Sequence, residues 1–154
     1  MIDPSAGIVD QLGSGLTGLE QLRKLIAMGG RPPIGDTLGF TLVEADEGRA
    51  VFEGTPGLHV YNPIGGVHGG YAATLLDSAC GCAIHSRLSP SQGYTTLELK
   101  VGYHKAITKD SGLLRAEGRV VSIGRRAGFA EATVKDASGR LYASATSTLL
   151  VLDK

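Results

Sequence analysis

The stretch with the clearest chemical potential is residues 61–81, where a loop ends in His68-Gly69-Gly70 and an apolar run follows. A helix that begins there presents unpaired backbone N–H groups and the positive end of its dipole. Glycine lets a ligand oxygen approach that backbone closely. Such a helix start can hold an oxyanion or a polarised carbonyl group.

One carboxylate, Asp77, lies in the middle of this apolar run. Burying a carboxylate without partners is costly, so its presence there needs a reason. Catalysis is one reason. The alternative is that Asp77 lies on a solvent-exposed face of the helix, because helical spacing places it on the same side as Thr74, Ser78, Gly81 and His85. The residues alone leave both alternatives open.

The spacing between these two features has a consequence for assembly. Asp77 lies eight residues beyond Gly69, which is roughly 12 Å along a helix. A single small carbonyl group cannot contact both residues of one chain. If both serve one reaction, they come from different subunits, and the site lies at the interface of a homodimer.

The elements around the helix are predicted to be mostly strands. Consecutive strand-like segments joined by tight turns indicate antiparallel pairing. We therefore predict an α+β fold, in which one curved antiparallel sheet wraps around the long central helix. The helix is predicted over 68–86, and the strands over 37–46, 49–55, 94–103, 112–123, 126–135 and 141–151.

A shorter helix is predicted near the N-terminus, over 18–28. Leu19, Leu22 and Leu25 recur at helical spacing, and Thr17 with Glu20 fits a capping box. We therefore divide the chain into an N-terminal helical extension, 1–35, and a main domain, 36–154. The extension is expected to cover the sheet or the dimer surface.

Composition argues against several classes of function. Fifteen basic and fifteen acidic residues give a formal net charge of zero, which disfavours nucleic-acid binding. No apolar run approaches the roughly 18–20 residues of a membrane span, and no secretory signal is recognisable, so a cytoplasmic protein is expected. Cys80 and Cys82 are expected to be reduced, and no metal site is predicted from their spacing.

A G-x-G-x-x-G string at Gly13, Gly15 and Gly18 resembles a dinucleotide-binding fingerprint. That fingerprint requires a preceding strand within a βαβ unit, and neither is predicted here. We therefore expect no dinucleotide site.

The pattern Asn62-x5-His68-Gly69-Gly70-x6-Asp77 resembles the motif of PaaI-like hotdog thioesterases and of a 4-hydroxybenzoyl-CoA thioesterase branch. Similarity over about residues 36–151 includes a later Gly124-Arg125-Arg126 segment. The resemblance implies a hotdog fold, hydrolysis of aromatic or medium-chain acyl-CoA thioesters, and a homodimer assembled into a homotetramer. It implies no cofactor, because CoA is part of the substrate.

The resemblance also implies roles for individual residues. The Gly69 N–H, with Asn62 nearby, would polarise the thioester carbonyl. Asp77 of the other subunit would act as general base or as nucleophile. Thr96, or alternatively Thr95, would position the water, and His68 would support the loop or lie near the sulfur.

Binding of the CoA moiety is expected to involve Arg125, Arg126, Lys105 and Gly70, since arginine suits phosphate groups. Lys100 and His104 are further candidates. Each of these charged side chains could equally be an ordinary solvated surface group.

The sequence leaves three rival functions to compare with thioester hydrolysis. A non-catalytic acyl-CoA binding protein of the same fold is the main alternative, since fold does not fix function. The hydratase branch of the fold is disfavoured, because Val60 and Gly65 stand where its acid and base would be. A serine hydrolase is disfavoured because no G-x-S-x-G motif follows a strand.

Overall fold

The protein folds as a six-stranded antiparallel sheet that wraps around one long helix. A computed structural model describes all 154 residues. The helices are α1 (Gly18–Ala27), α2 (Pro33–Leu38) and α3 (Gly69–His85). The strands are β1 (Phe40–Asp46), β2 (Arg49–Gly54), β3 (Gln92–Tyr103), β4 (Leu114–Ile123), β5 (Ala127–Asp136) and β6 (Leu141–Asp153).

The strand order is β1-β2-β4-β5-β6-β3, and every neighbouring pair is antiparallel. The central helix α3 packs against the inner face of this curved sheet. The predicted α+β hotdog architecture is therefore confirmed, with the helix and strand bounds within a few residues of those expected.

The helix α3 lies unusually close to the middle of the sheet, at β4. A Cβ atom on Gly118 would lie 2.2 Å from the backbone oxygen of Ala79 and 2.9 Å from the backbone nitrogen of Cys80. Around this contact the core is built mainly from small side chains: Ala79, Ala83, Ala116, Ala130, Ala132 and Ala143 are all buried. Small residues on both surfaces allow the backbone of the helix to approach the sheet.

The first 35 residues pack on the same core as the rest of the chain. The capping box of α1 forms, with the Thr17 N–H donating to Glu20 Oε2 at 2.8 Å. Leu22 of α1 is only 1% exposed, and the Leu42 N–H of β1 donates to the Gly30 carbonyl at 2.9 Å. This segment therefore occupies the free edge of β1. The domain boundary at residue 35 stays a prediction.

The strand predicted to begin at residue 37 begins instead at Phe40, because an unpredicted short helix, α2, comes first. Pro33 stands at the start of α2, where proline is tolerated since its missing N–H would be unpaired anyway. Gly39 ends α2 in the left-handed conformation, with φ of 76°.

Both cysteines are free thiols in the interior of the fold, with Cys80 buried and Cys82 half-buried. Burial raises the pKa of each thiol to about 12. Neither thiolate is therefore available as a nucleophile at neutral pH.

Two observations bear on other kinds of function. No helix is long and apolar enough to cross a membrane. Nowhere do three or more His, Cys, Asp or Glu side chains gather closely enough to hold a metal ion.

We expect Gly118→Ala to destabilise the protein by at least about 3 kcal/mol, because the added methyl group would overlap backbone atoms that cannot move independently. Urea unfolding of the purified variant measures this change. Gly124→Ala is the matched control, since its Cβ would lie 3.7 Å from the nearest atom. A Gly118→Ala protein as stable as the control would contradict the close approach of α3 to β4.

A second prediction concerns His85 at the end of α3, whose Nε2 lies 2.8 Å from Gln21 Oε1 of α1. Burial lowers the pKa of His85 from 6.5 to about 4. Between these two pH values the unfolded chain binds more protons than the folded chain, so acidification costs stability. From pH 7 to pH 5 the free energy of unfolding should fall by about 2 kcal/mol from this residue.

The measurement is urea unfolding at both pH values for the protein and for His85→Gln. The variant lacks the titrating group and should lose correspondingly less stability on acidification. Equal losses in the two proteins would show that His85 is not held in its neutral form.

Candidate active site

A cleft of about 240 Å³ lies at the N-terminus of α3. We call it the glycine cleft, and its lining is Val67, His68, Gly69, Ala72 and the run Tyr103 to Ile107. The structure therefore brings together three of the predicted site residues, His68, Gly69 and Lys105. The Gly69 N–H makes no hydrogen bond within the chain, so it is available to a ligand oxygen.

His68 caps the helix. Its Nδ1 accepts a hydrogen bond from the Gly70 N–H at 2.8 Å. A neutral His68 therefore carries its proton on Nε2. Both backbone groups of Gly70 are engaged, since its carbonyl accepts a hydrogen bond from the Thr74 hydroxyl at 2.8 Å. The predicted contact between Gly70 and CoA stays a prediction.

Asn62 organises the loop before the helix. Its Oδ1 accepts hydrogen bonds from the backbone N–H groups of Ile64 and Gly66, both at 3.1 Å. It does not line the glycine cleft. The structure thus assigns Asn62 a role in shaping the loop, and its predicted contact with the thioester carbonyl stays a prediction.

Tyr103 is a cleft residue that the sequence reasoning did not single out. Its hydroxyl donates to the Gly69 carbonyl at 2.7 Å, and its ring lies against the Cα of Gly69, where a Cβ would be 3.0 Å from the hydroxyl oxygen. The alternation Leu99-x-Val101-x-Tyr103 on β3 was the available signal, because it places these side chains on one face of the strand.

Asp77 lies near the middle of α3, half-buried on the side of the helix away from β4. The Thr96 hydroxyl of β3 donates to Asp77 Oδ1 at 3.0 Å. Asp77 forms no ion pair, and its Oδ2 makes no hydrogen bond within the chain. Thr95 is exposed, so Thr96 is the hydroxyl that contacts the carboxylate.

The side of α3 that carries Asp77 is neither fully exposed nor sealed. Thr74, Asp77 and Ser78 are half-buried, whereas Gly81 and His85 are buried. The ring of Tyr94, also on β3, lies over Gly81, where a Cβ would be 2.5 Å from the hydroxyl oxygen and 3.0 Å from the ring. Glycine at position 81 therefore makes room for Tyr94.

The strand β3, which carries Thr96, Tyr94 and Tyr103, forms an edge of the sheet. Its pairing with β6 is interrupted between Thr96 and Glu98 by a β-bulge. Leu97 at this bulge is 58% exposed and Tyr103 is 56% exposed. Unlike β1, this edge is not covered by another segment of the chain.

The two predicted phosphate-binding arginines lie far from the glycine cleft of their own chain. Arg125 and Arg126 are exposed in the turn between β4 and β5, and the Arg126 carbonyl accepts from Val151, which pairs with Tyr94. Gly69 contacts Tyr103 at the other end of β3. Nine residues of strand separate these ends of β3, which is about 30 Å.

The remaining candidates, Lys100 and His104, differ in position. Lys100 lies on the outer face of the sheet, beside Glu117, Glu131 and Lys135. His104 lines the glycine cleft, and its Nε2 lies 2.7 Å from the Ser144 hydroxyl oxygen. Only His104 is placed to contact a ligand in the cleft.

Comparison with protein families gives one matching family model, described as the thioesterase superfamily, over residues 64–143. Among curated proteins, a 1,4-dihydroxy-2-naphthoyl-CoA hydrolase from Listeria monocytogenes is 24% identical over 119 residues. The match covers 77% of this chain and 95% of that relative.

Solved structures share the fold over most of their length. A thioesterase family protein from Silicibacter pomeroyi has a TM-score of 0.76 and 27% identity, covering 86% of this chain and 99% of that one. The E. coli PaaI protein from the phenylacetic acid degradation operon has a TM-score of 0.72 and 20% identity, covering 82% of this chain and 88% of that one. A Streptococcus mutans protein bound to acetyl-CoA has a TM-score of 0.67 and 28% identity, covering 75% and 91%.

Proposed function

Since the chain belongs to the thioesterase superfamily, with a fold it shares with the PaaI protein, we propose that it hydrolyses acyl-CoA thioesters to a free acid and CoA. Thioester hydrolysis is the chemistry of the family. The acyl-CoA substrate is supported by the relative named as a naphthoyl-CoA hydrolase and by the similar structure bound to acetyl-CoA. The observation that carries the proposal is Asp77, positioned by Thr96 with its second oxygen free.

Two groups of the protein carry out different parts of the hydrolysis. The Gly69 N–H, at the positive end of α3, donates to the thioester oxygen and stabilises the negative charge that develops there. Asp77 either takes a proton from the attacking water or attacks the carbonyl carbon itself. On both routes one water is consumed, the carbon–sulfur bond breaks and the thiol receives a proton. The Thr96 hydroxyl holds the carboxylate in position.

The two groups meet in a homodimer. Gly69 and Asp77 lie on one rigid helix about 12 Å apart, so a single chain cannot bring both to one carbonyl. If the open edges of β3 from two copies pair antiparallel about a two-fold axis, their sheets become continuous. The two α3 helices then run in opposite directions on one face, and Asp77 of one copy approaches the glycine cleft of the other.

The same dimer would bring Arg125 and Arg126 of one chain towards the glycine cleft of its partner. Arg125 and Arg126 lie beside the C-terminal end of α3, since a Cβ on nearby Gly128 would meet the Ile84 side chain at 2.6 Å. In the antiparallel dimer this end faces the N-terminal end of the partner's helix. Neither arginine is engaged in an ion pair, so both can bind CoA phosphates, with Lys105 in the cleft itself.

We expect Asp77→Asn to lower kcat for acyl-CoA hydrolysis by a factor of about 100 or more, because the variant can neither accept a proton nor attack a carbonyl. Thiol release from a panel of aryl- and fatty acyl-CoA esters measures this and also identifies the preferred acyl group. A single turnover in ¹⁸O-labelled water adds a test of the route: label in the Asp77 carboxylate shows the nucleophilic route, with water attacking the Asp77 carbon of the anhydride.

Asp153→Asn, an exposed carboxylate in β6, is the matched control and should leave kcat unchanged. Thr96→Val should lower kcat about tenfold, whereas Thr95→Val should not, since only Thr96 contacts Asp77. Wild-type turnover that survives in a folded Asp77→Asn protein removes Asp77 from the mechanism. Binding of acyl-CoA without any turnover in the wild type favours a binding protein instead.

A composite site predicts complementation between two inactive chains. Gly69→Pro removes the proposed N–H donor, and the ψ of 134° at His68 is compatible with a following proline. Each of Gly69→Pro and Asp77→Asn should be inactive alone. Mixed and allowed to exchange subunits, they should recover about a quarter of wild-type activity, because half of the dimers contain one intact site.

The control mixes each variant with itself under the same exchange conditions, and size-exclusion chromatography with light scattering verifies the dimers. Exchange shown by a mass-tagged subunit, without any recovered activity, would place both groups of a site on one chain.

A further inference from the structure

A second cleft, of about 370 Å³, opens beside Asp77 and is unlike the glycine cleft in its lining. We call it the apolar cleft. Its lining comprises Pro4, Ile8, Val9, Leu22, Leu25, Pro32, Pro33, Ile34, Phe52, Ser78, Cys82, His85 and Tyr94. Its volume falls within the roughly 300–1,000 Å³ typical of small-molecule sites.

The apolar cleft lies next to Asp77 on α3, although Asp77 itself does not line it. Ser78 follows Asp77 directly, and Cys82 lies one turn further along the same side. Tyr94 comes two residues before Thr96 on β3, and both side chains contact α3. A group attached to a carbonyl at Asp77 can therefore extend along α3 into this cleft.

The lining carries no ionised side chain at neutral pH. None of its residues is an aspartate, glutamate, lysine or arginine. His85 is neutral at pH 7, because burial lowers its pKa to about 4, and its Nε2 lies at hydrogen-bond distance from Gln21. A carboxylate placed in the cleft would lose its hydration and meet no cation among the lining residues. Lys154, the cation close enough to His85 to act on it, is already paired with Asp10.

The outer wall of the cleft comes from the N-terminal segment. Eight of the 13 lining residues belong to the first 34 residues, and five belong to β2, α3 and β3. This segment is tied to the main body, since the Gly18 N–H donates to the Leu88 carbonyl at 3.0 Å. Lys24 Nζ further donates to the Leu12 carbonyl at 2.6 Å and fixes the turn that precedes α1.

We infer that the apolar cleft holds the acyl group of the thioester and that the N-terminal segment makes it selective for uncharged aryl and medium-length alkyl groups. This inference rests on the proposed hydrolysis of acyl-CoA and adds the cleft that would select the acyl group and the segment of the chain that forms its outer wall. Acyl groups that end in a carboxylate are rejected by the uncharged lining. The ring of Tyr94, which lies over Gly81, forms part of the cleft wall.

The test measures binding without turnover. Isothermal titration calorimetry compares CoA with a non-hydrolysable ketone analogue of octanoyl-CoA and with the matching analogue that ends in a carboxylate. Each methylene buried in the cleft should raise affinity about fourfold. We therefore expect the octanoyl analogue to bind at least about 100-fold more tightly than CoA, and the carboxylate-ended analogue to bind like CoA.

Val9→Trp places a large side chain in the cleft from the N-terminal segment. In this variant the octanoyl analogue should bind less than tenfold more tightly than CoA. Ala6→Trp is the matched control, since Ala6 is exposed on the same segment and does not line the cleft, and it should keep the full gain. Ile34→Trp is a second cleft variant at a position that is 48% exposed, where folding should be unaffected.

The outcomes separate this inference from the proposed function. The acyl assignment is overturned if the octanoyl analogue keeps its higher affinity in both Val9→Trp and Ile34→Trp. It is also overturned if the carboxylate-ended analogue binds as tightly as the octanoyl analogue. Either result counts even if Asp77→Asn abolishes turnover. Conversely, a gain lost in Val9→Trp and Ile34→Trp supports the acyl cleft even in the case where no thioester is hydrolysed.

Discussion

The close contact between α3 and β4 at Gly118 governs the geometry of the whole molecule. Because a Cβ on Gly118 would overlap the Ala79 carbonyl, the backbone of the helix lies directly on the strand. A helix this close to the centre of a twisted sheet lets the outer strands curve around it. Thr96 on the edge strand β3 can therefore reach Asp77 on the far side of α3.

In the proposed function, each chain carries two half-sites. The glycine cleft provides a backbone donor, a capped helix end and Lys105. The opposite side of α3 provides a carboxylate with a fixed orientation. The rigid helix that supports both keeps them apart within one chain, and the open edge of β3 offers the surface across which two chains can bring them together. Subunit association is therefore an integral part of the proposed catalysis.

The sequence predicted the fold where periodicity was strong and failed where tertiary contacts decided. The 17-residue helix α3 and all six strands were recognised because their apolar spacing is long and regular. The helix α2 was missed because its six residues carry no periodic signal and depend on Pro33 and Gly39. Gly118 could not be identified, because nothing in β4 itself indicates which residue will meet the helix. For the candidate site, motif spacing pointed to Asp77, Gly69 and His68, whose roles stay predictions, whereas Tyr103 became apparent only when β3 was placed next to the helix end.

The pairing of Gly81 with Tyr94 constrains how this sequence could change over evolutionary time. A side chain at position 81 would collide with the aromatic ring, so a serine or threonine there becomes acceptable only after Tyr94 has been replaced by a smaller residue. That first replacement would leave a void above Gly81 and an altered outlet beside Asp77. The two positions are thus epistatic. A lineage that exchanged them would pass through an intermediate with a wider and less selective cleft, from which new acyl preferences could arise.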